Sequence, residues 1–207
     1  MKRRAFLAAS VWTGAASGQK APRRVLILLG PPGAGKTTHS KTLSEKYKIP
    51  IVNATTLLKK SHGDKSSLSK RLKVQVEGGD LLGDQGLNDL FQARIRHGDC
   101  YNGFVLDGYP VNRNQAEFLT AQLKELQFPP PTVLHLQISD EISRKRTQSR
   151  GRADDKAGTN EQRLAEYHAE EQAVLSYFPA SQILHIDASG TEREVFAEIE
   201  KQIAGRN

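Results

Sequence analysis

The sequence predicts an α/β fold in which helices cover both faces of a parallel sheet. Short apolar runs, which are typical of strands buried on both faces, alternate along the chain with longer segments of helical pattern. This alternation predicts a five-stranded parallel sheet in a three-layer arrangement. The strands are expected at residues 25–29, 51–52, 104–106, 132–138 and 183–186.

The segments between the strands carry the pattern of helices, and glycine or proline residues mark several of their ends. Helices are predicted at residues 36–47, 55–61, 64–77, 84–97, 114–126, 139–147, 160–177 and 192–203. Ligands of open parallel sheets bind at the carboxyl ends of the strands. We therefore expect the functional residues to follow strands.

Composition limits the classes of partner that the protein can have. The 207 residues carry a formal charge of +7, but six basic residues and no acidic ones fall within residues 1–24. The remainder holds 24 basic and 23 acidic residues, so the high pI alone does not indicate nucleic-acid binding. The single cysteine, Cys100, excludes an intrachain disulfide and a cysteine-based zinc site.

The strongest motif begins at Gly30 and reads GPPGAGKT, which matches G-x-x-x-x-G-K-[ST] at every fixed position. A predicted strand precedes it and a predicted helix follows it, as the phosphate-binding P-loop requires. Glycines let backbone N–H groups surround a phosphate, and the helix N-terminus favours negative charge. Lys36 is expected to reach the β- and γ-phosphates of ATP, and the Thr37 hydroxyl to bind Mg²⁺. The predicted ATP-binding residues are Gly30, Gly33, Ala34, Gly35, Lys36, Thr37 and Thr38.

Asp107 ends the apolar run at 104–106 and precedes a glycine. A carboxylate at the end of a buried strand is costly unless it meets a cation. Because Mg²⁺ prefers oxygen ligands, Asp107 is predicted to act with Thr37 at a magnesium site that is partly bridged by water. Together with the P-loop, this predicts the fold of a P-loop NTPase.

An arginine cluster follows the fourth predicted strand and comprises Arg144, Arg146, Arg150, Arg152 and Arg163. Arginines that close over a transferring phosphoryl group stabilise its spreading negative charge. Charge runs more often form a solvated helix face, and composition alone favours that interpretation. Asp154 and Asp155 follow directly, so the segment is not a simple basic tail.

Three further stretches give the chain a resemblance to a known family. These are Asp107-Gly108-Tyr109-Pro110, Arg152-Ala153-Asp154-Asp155 and Arg163-Leu164-Ala165-Glu166-Tyr167. With the P-loop, they make the chain similar to the adenylate kinase family of nucleoside monophosphate kinases, from about Val25 to the C-terminus.

The resemblance implies a monomeric enzyme that uses Mg·ATP and a nucleoside monophosphate. The domain would span residues 23–207, with an acceptor-binding part at 53–82 and a short lid at 147–159. The catalytic residues implied are Lys36, Arg146, Arg152 and Arg163, of which the arginines grip the phosphates. By the same resemblance, Asp154 and Asp155 would steady the lid, and Gln115 would read the acceptor base.

Departures from the family pattern fall on the acceptor side. Lys59 stands where the family has an arginine that binds the acceptor phosphate, and Val111 replaces the arginine after Asp-Gly-Tyr-Pro. Arg113 is a candidate substitute for the second of these. Ala54 resembles the uridylate–cytidylate kinases, whereas Gln115 resembles enzymes specific for AMP. AMP is the expected acceptor, with UMP, CMP or another nucleotide, or a non-catalytic ATP-binding role, as alternatives.

Residues 1–22 form an extension before this domain. Arg3 and Arg4 begin a stretch that resembles a twin-arginine export signal, although the apolar run at 5–18 is too short for a stable membrane span. A basic extension without a targeting role is the alternative. The need for ATP slightly favours a cytoplasmic location.

Overall fold

The structure is a computed structural model that describes residues 23–53, 56–57, 83–151 and 157–206. Five strands form one sheet in the order β2-β3-β1-β4-β5, and every neighbouring pair is parallel. The predicted five-stranded parallel sheet is confirmed. The strands are β1 (Arg24–Leu29), β2 (Ile51–Asn53), β3 (Gly103–Asp107), β4 (Thr132–Gln137) and β5 (Ile183–Asp187).

Helices connect the strands and confirm the predicted alternation. They are α1 (Lys36–Tyr47), α2 (Asp84–Ile95), α3 (Arg113–Glu125), α4 (Asp140–Arg150), α5 (Ala157–Leu175) and α6 (Glu192–Ala204). The helix predicted at 64–77, and most of that predicted at 55–61, lie outside the described residues. Within the described ranges, no helix is both long and apolar enough to cross a membrane.

Side-chain caps fix where several helices begin. Asn112 accepts a hydrogen bond from the backbone N–H of Gln115 at the start of α3, and Ser139 caps α4 through Ile142. Thr191 and Glu194 form a reciprocal capping box at α6. Such caps satisfy N–H groups that have no partner within the helix. They therefore fix the residues at which these three helices begin.

Two apolar clusters pack on opposite faces of the sheet. Val25 and Ile27 of β1 belong to one cluster, and Leu26 and Leu28 belong to the other. These four side chains are at most 1% exposed. Because successive residues of a strand point to opposite faces, burial on both sides explains the continuous apolar run in the sequence.

Strand register brings three chain segments together at one edge of the sheet. Leu28 of β1 is paired with Asp107 of β3, and Asn53 of β2 is paired with the same aspartate. The P-loop follows β1 directly. The carboxyl ends of three neighbouring strands therefore converge on Asp107.

Candidate active site

The P-loop bends in a way that only glycine allows at two positions. Gly30 has a φ of 145°, and a Cβ there would lie 2.4 Å from the carbonyl oxygen of Leu136. Gly33 has a φ of 79°, and its Cβ would lie 3.0 Å from the carbonyl oxygen of Ser143. The Ser143 hydroxyl of α4 also donates to the carbonyl oxygen of Pro32, at 2.7 Å. The loop is thus packed closely against β4 and α4.

Lys36 begins α1 and folds back across the P-loop. Its Nζ donates to the carbonyl oxygens of Gly30 and Pro31 at 2.6 and 2.9 Å. Burial lowers the pKa of the ammonium to about 8, Asp107 opposes this change, and the positive charges of Arg163 and Arg150 add to it. Two arginines and one carboxylate therefore act on Lys36 through their charges.

Asp107 is 3% exposed and is held by two side chains. Its Oδ2 accepts from the Thr37 hydroxyl and from Asn53 Nδ2, each at 2.9 Å. Asn53 also donates to the backbone carbonyl of Asp107 at 3.2 Å, so the carboxylate has a fixed orientation. Asn53 was not among the predicted site residues. The signal that could have identified Asn53 is its position directly after the apolar pair at 51–52, where a strand ends.

These residues suit Mg²⁺. Thr37 and Asp107 offer a hydroxyl oxygen and a carboxylate, and Mg²⁺ in phosphoryl-transfer sites takes few protein ligands besides water and substrate phosphates. Among the residues that the structure describes, no three His, Cys, Asp or Glu side chains converge as a metal cluster. The donor set therefore fits a metal that is held largely by a nucleotide.

A cavity of about 1140 Å³ lies over the P-loop and the end of β3. Helices α4 and α5 and the loop between β5 and α6 complete its wall. A second cavity, of about 390 Å³, adjoins it and shares Pro32, Lys36, Gly108 and Arg163 with it. Three arginines line the larger cavity, namely Arg146, Arg150 and Arg163.

The three arginines have different surroundings. The Arg146 guanidinium donates to the carbonyl oxygens of residues 188, 189 and 190, at 2.7, 2.8 and 2.9 Å. It thereby attaches α4 to the β5–α6 loop at one end of the cavity. Arg150 and Arg163 instead act electrostatically on Lys36. Arg150 belongs to the predicted cluster but was not chosen as a phosphate-gripping residue.

Several predicted site residues lie outside the described ranges. Arg152, Asp154 and Asp155 of the expected lid are among them, as are Ala54 and Lys59 of the expected acceptor part. Their roles remain predictions.

Gln115, the residue expected to read the acceptor base, is 1% exposed. Its Nε2 donates to Asp84 Oδ1 at 2.7 Å, and its Oε1 accepts from the backbone N–H of Val111 at 2.9 Å. Asp84 also accepts from Asn112 Nδ2, at 2.9 and 3.1 Å to its two oxygens. A carboxylate at the start of α2 thus orients the side chains that begin α3. Sequence analysis did not identify Asp84.

Arg113 lies near the C-terminal end of α5, outside the walls of both cavities. Its guanidinium lies 5.7 Å from the centre of the Tyr177 ring, and it lines neither cavity. Val111 is 53% exposed and lines the smaller cavity together with Arg163. The geometry therefore gives no support to Arg113 as a substitute for an arginine at position 111.

The parallel sheet, the glycine loop after β1, the lysine at the start of α1 and the buried aspartate at the end of β3 define a P-loop nucleotide-binding protein. The family model described as Adenylate kinase matches residues 28–183.

Relatives called Adenylate kinase cover most of the chain. The protein of Rhodococcus erythropolis (strain PR4 / NBRC 100887) is 37% identical over 172 residues, which are 83% of this chain and 94% of the relative. That of Mycobacterium tuberculosis (strain ATCC 25618 / H37Rv) is 36% identical over 172 residues, with the same coverage of 83% and 94%. That of Leptospira biflexa serovar Patoc is 34% identical over 183 residues, covering 86% and 98%. This chain belongs to the adenylate kinase family, and it is a phosphotransferase of that type.

Proposed function

We propose that this protein transfers the γ-phosphate of Mg·ATP to AMP and so forms two molecules of ADP. The observation that carries the proposal is the cavity in which Lys36, Arg150 and Arg163 lie over the P-loop beside Asp107. Cations gathered at one wall suit a group whose negative charge spreads over oxygens during transfer. Membership of the adenylate kinase family supports AMP as the acceptor.

In the proposed reaction, a phosphate oxygen of AMP attacks the γ-phosphorus of ATP. A bond forms between that oxygen and phosphorus, and the bond between the γ-phosphorus and the β–γ bridging oxygen breaks, so that both products are ADP. Lys36 exchanges its P-loop carbonyls for the β- and γ-phosphates, while Arg150 and Arg163 stabilise the charge on the transferring group. Arg146 acts by holding the β5–α6 loop, which lines the same cavity.

Thr37 and Asp107 would hold Mg²⁺, in part through water. When bound there, the ion would supply positive charge that offsets part of the charge of the phosphates. Asn53 keeps the Asp107 carboxylate in place through its 2.9 Å hydrogen bond. This orientation lowers the entropy cost of assembling the site.

Two further parts of the chain complete the proposal. Residues 53–82 form the acceptor-binding part, and residues 147–159 form a short lid that carries Arg152, Asp154 and Asp155. Lid closure excludes water, so that the phosphoryl group reaches AMP and not solvent. Gln115 reads the acceptor base, in an orientation set by Asp84.

An acceptor screen with purified protein tests this function. Mg·ATP is supplied with AMP, CMP or UMP, and ADP formation is followed in a coupled assay. We expect kcat/KM to be highest for AMP. Higher values for UMP or CMP would reassign the acceptor. ATP-dependent melting shifts without product from any acceptor would indicate a binding module and contradict the proposal.

We further propose a monomer that works where ATP is made, in the cytoplasm. Size-exclusion chromatography with light scattering tests the monomer. N-terminal sequencing of the protein from cell fractions tests the location, because cleavage after the basic extension in an exported fraction would refute it.

A further inference from the structure

A polar cluster lies between strand β4 and helix α5, beside the end of β1, where Leu29 is paired with His135. His135 of β4 is 2% exposed, and its Nε2 lies 2.8 Å from Glu171 Oε1 and 3.1 Å from the Tyr167 hydroxyl. The Tyr167 hydroxyl donates to the same Glu171 oxygen at 2.6 Å. We call His135, Tyr167 and Glu171 the β4–α5 cluster. A buried imidazole that lacked such partners would be costly, so these contacts fix how the helix sits on the strand.

The ring orientation of His135 is determined on both sides. An ionised carboxylate can only accept hydrogen bonds, so we assign the His135 proton to Nε2, which faces Glu171. Nδ1 then accepts from Nδ1 of His185 on β5, at 3.1 Å. Burial lowers the pKa of His135, Glu171 opposes this change, and the neutral ring suits both contacts. The imidazole is therefore fixed by groups on two other elements.

The cluster shares a helix face with an arginine of the site. Arg163, Tyr167 and Glu171 are spaced by four residues, which places them on one side of α5. One turn before Arg163, the buried Asn160 donates to the Thr147 hydroxyl of α4 at 2.8 Å. Polar contacts thus hold α5 on both sides of Arg163.

The helix has free space beside it. The cavity of about 390 Å³ is lined by Arg163 and by all three residues of the β4–α5 cluster. Apolar packing next to such a space allows small shifts of a helix, whereas buried hydrogen bonds are directional. Displacement of a reacting group by about 1 Å can reduce a rate by about a hundredfold.

We propose that His135, Tyr167 and Glu171 are positioning residues that hold Arg163 in register with the phosphate cavity. They act through α5 and touch no reacting atom. The inference depends on the proposed function only for its turnover readout.

Four variants test the positioning role. Tyr167→Phe removes one hydroxyl, His135→Leu removes the imidazole donor, and His135→Gln keeps an amide donor near the same point. Arg163→Ala supplies the second arm of a double-mutant cycle. Tyr177→Phe is the matched control, because it removes a hydroxyl just beyond α5 and outside the cluster. For each variant, kcat per folded molecule, the Kd of Mg·ATP by calorimetry and Tm are measured.

We expect His135→Leu to lower kcat by about tenfold and Tyr167→Phe by about threefold, with His135→Gln recovering most of the loss. We expect His135→Leu to weaken Mg·ATP binding by about threefold. When Arg163→Ala is already present, adding His135→Leu should change kcat and the Kd of Mg·ATP by less than twofold, since the cluster then has no arginine to position. Tyr177→Phe should match the wild type.

Two results would overturn the positioning role. One is a lower Tm for His135→Leu with unchanged kcat per folded molecule and unchanged Kd, which describes a purely structural cluster. The other is an equal effect of His135→Leu with and without Arg163. A wild-type protein that binds Mg·ATP but makes no ADP would refute the proposed function. The positioning role would then still be tested by the double-mutant cycle of His135→Leu and Arg163→Ala, with the Kd of Mg·ATP as its readout.

Discussion

Replacing Lys36 with methionine separates the catalytic role of the ammonium from its effect on stability. Burial lowers the Lys36 pKa from 10.5 to about 8. At about 1.4 kcal/mol per pKa unit, keeping this group charged in the folded protein costs about 3 kcal/mol. Methionine removes that cost but also removes the two hydrogen bonds to P-loop carbonyls, worth about 1 kcal/mol each. We therefore expect Lys36→Met to be more stable by about 1 kcal/mol at pH 7.

The sign of the pH dependence follows from the same pKa. Because the folded value lies below the unfolded one, the penalty is complete below about pH 8 and disappears above about pH 10.5. The stability advantage of Lys36→Met should therefore disappear as the pH rises through this range, and the wild type should become the more stable protein once the penalty is gone, because it keeps its two hydrogen bonds. Chemical denaturation of both proteins at pH 7, 9 and 10.5 measures it.

Turnover should change in the opposite direction. Loss of one preorganised charge at the transferring phosphoryl group typically lowers kcat by about a hundredfold to a thousandfold. ADP formation by Lys36→Met is measured with saturating Mg·ATP and AMP, with circular dichroism confirming the fold. Near-normal turnover would refute the assignment of Lys36. A strongly destabilised variant would refute the reasoning about its buried charge.

Three further predictions concern the metal and acceptor sides. Asp107→Asn should keep the fold, because the amide oxygen can still accept from Thr37 and Asn53. It should lower kcat by about a hundredfold, and a magnesium titration should show that a higher Mg²⁺ concentration is needed for half-maximal activity. Val111→Arg should lower the KM for AMP by about tenfold, because the new arginine can donate one charge-assisted hydrogen bond to the acceptor phosphate. Glu170 lines the same cavity as Val111 and could pair with the new arginine. A KM that is unchanged in Val111→Arg, but falls when Glu170→Gln is added, would show this pairing. Asp84→Asn should raise the KM for AMP by about tenfold and leave that for ATP unchanged, and equal changes in both KM values would contradict its role in orienting the acceptor site.

Much of the fold could be predicted because burial on both faces leaves a direct trace in the sequence. The apolar run of β1 reads as a buried parallel strand, and the P-loop motif places its ligand at that strand's end. Asp107 could be predicted for the same reason, since a carboxylate after a buried strand requires a partner. These inferences use only residues that are neighbours in the chain.

Contacts between distant segments could not be predicted in this way. Arg146 and Arg150 are four residues apart on α4, so their spacing places both on one face. Only the position of the loop at 188–190, some forty residues later, determines that Arg146 bonds to its carbonyls.

His135 illustrates a second limit. It lies within an apolar run and reads as part of a strand, and its partners Tyr167 and Glu171 lie on a helix about thirty residues away. The hydrogen bond between Asn53 and Asp107 likewise depends on the register of β2 against β3. Sequence spacing does not encode such pairings.

All of these turnover predictions depend on the movement of one phosphoryl group from Mg·ATP to AMP. Chromatographic quantification of all three adenine nucleotides, in a mixture of purified protein, Mg·ATP and AMP, tests it most directly. We expect ATP and AMP to disappear in equal amounts and two ADP to form for each AMP consumed. ADP that accumulates while AMP stays constant, or nucleotide pools that do not change at all, would contradict it.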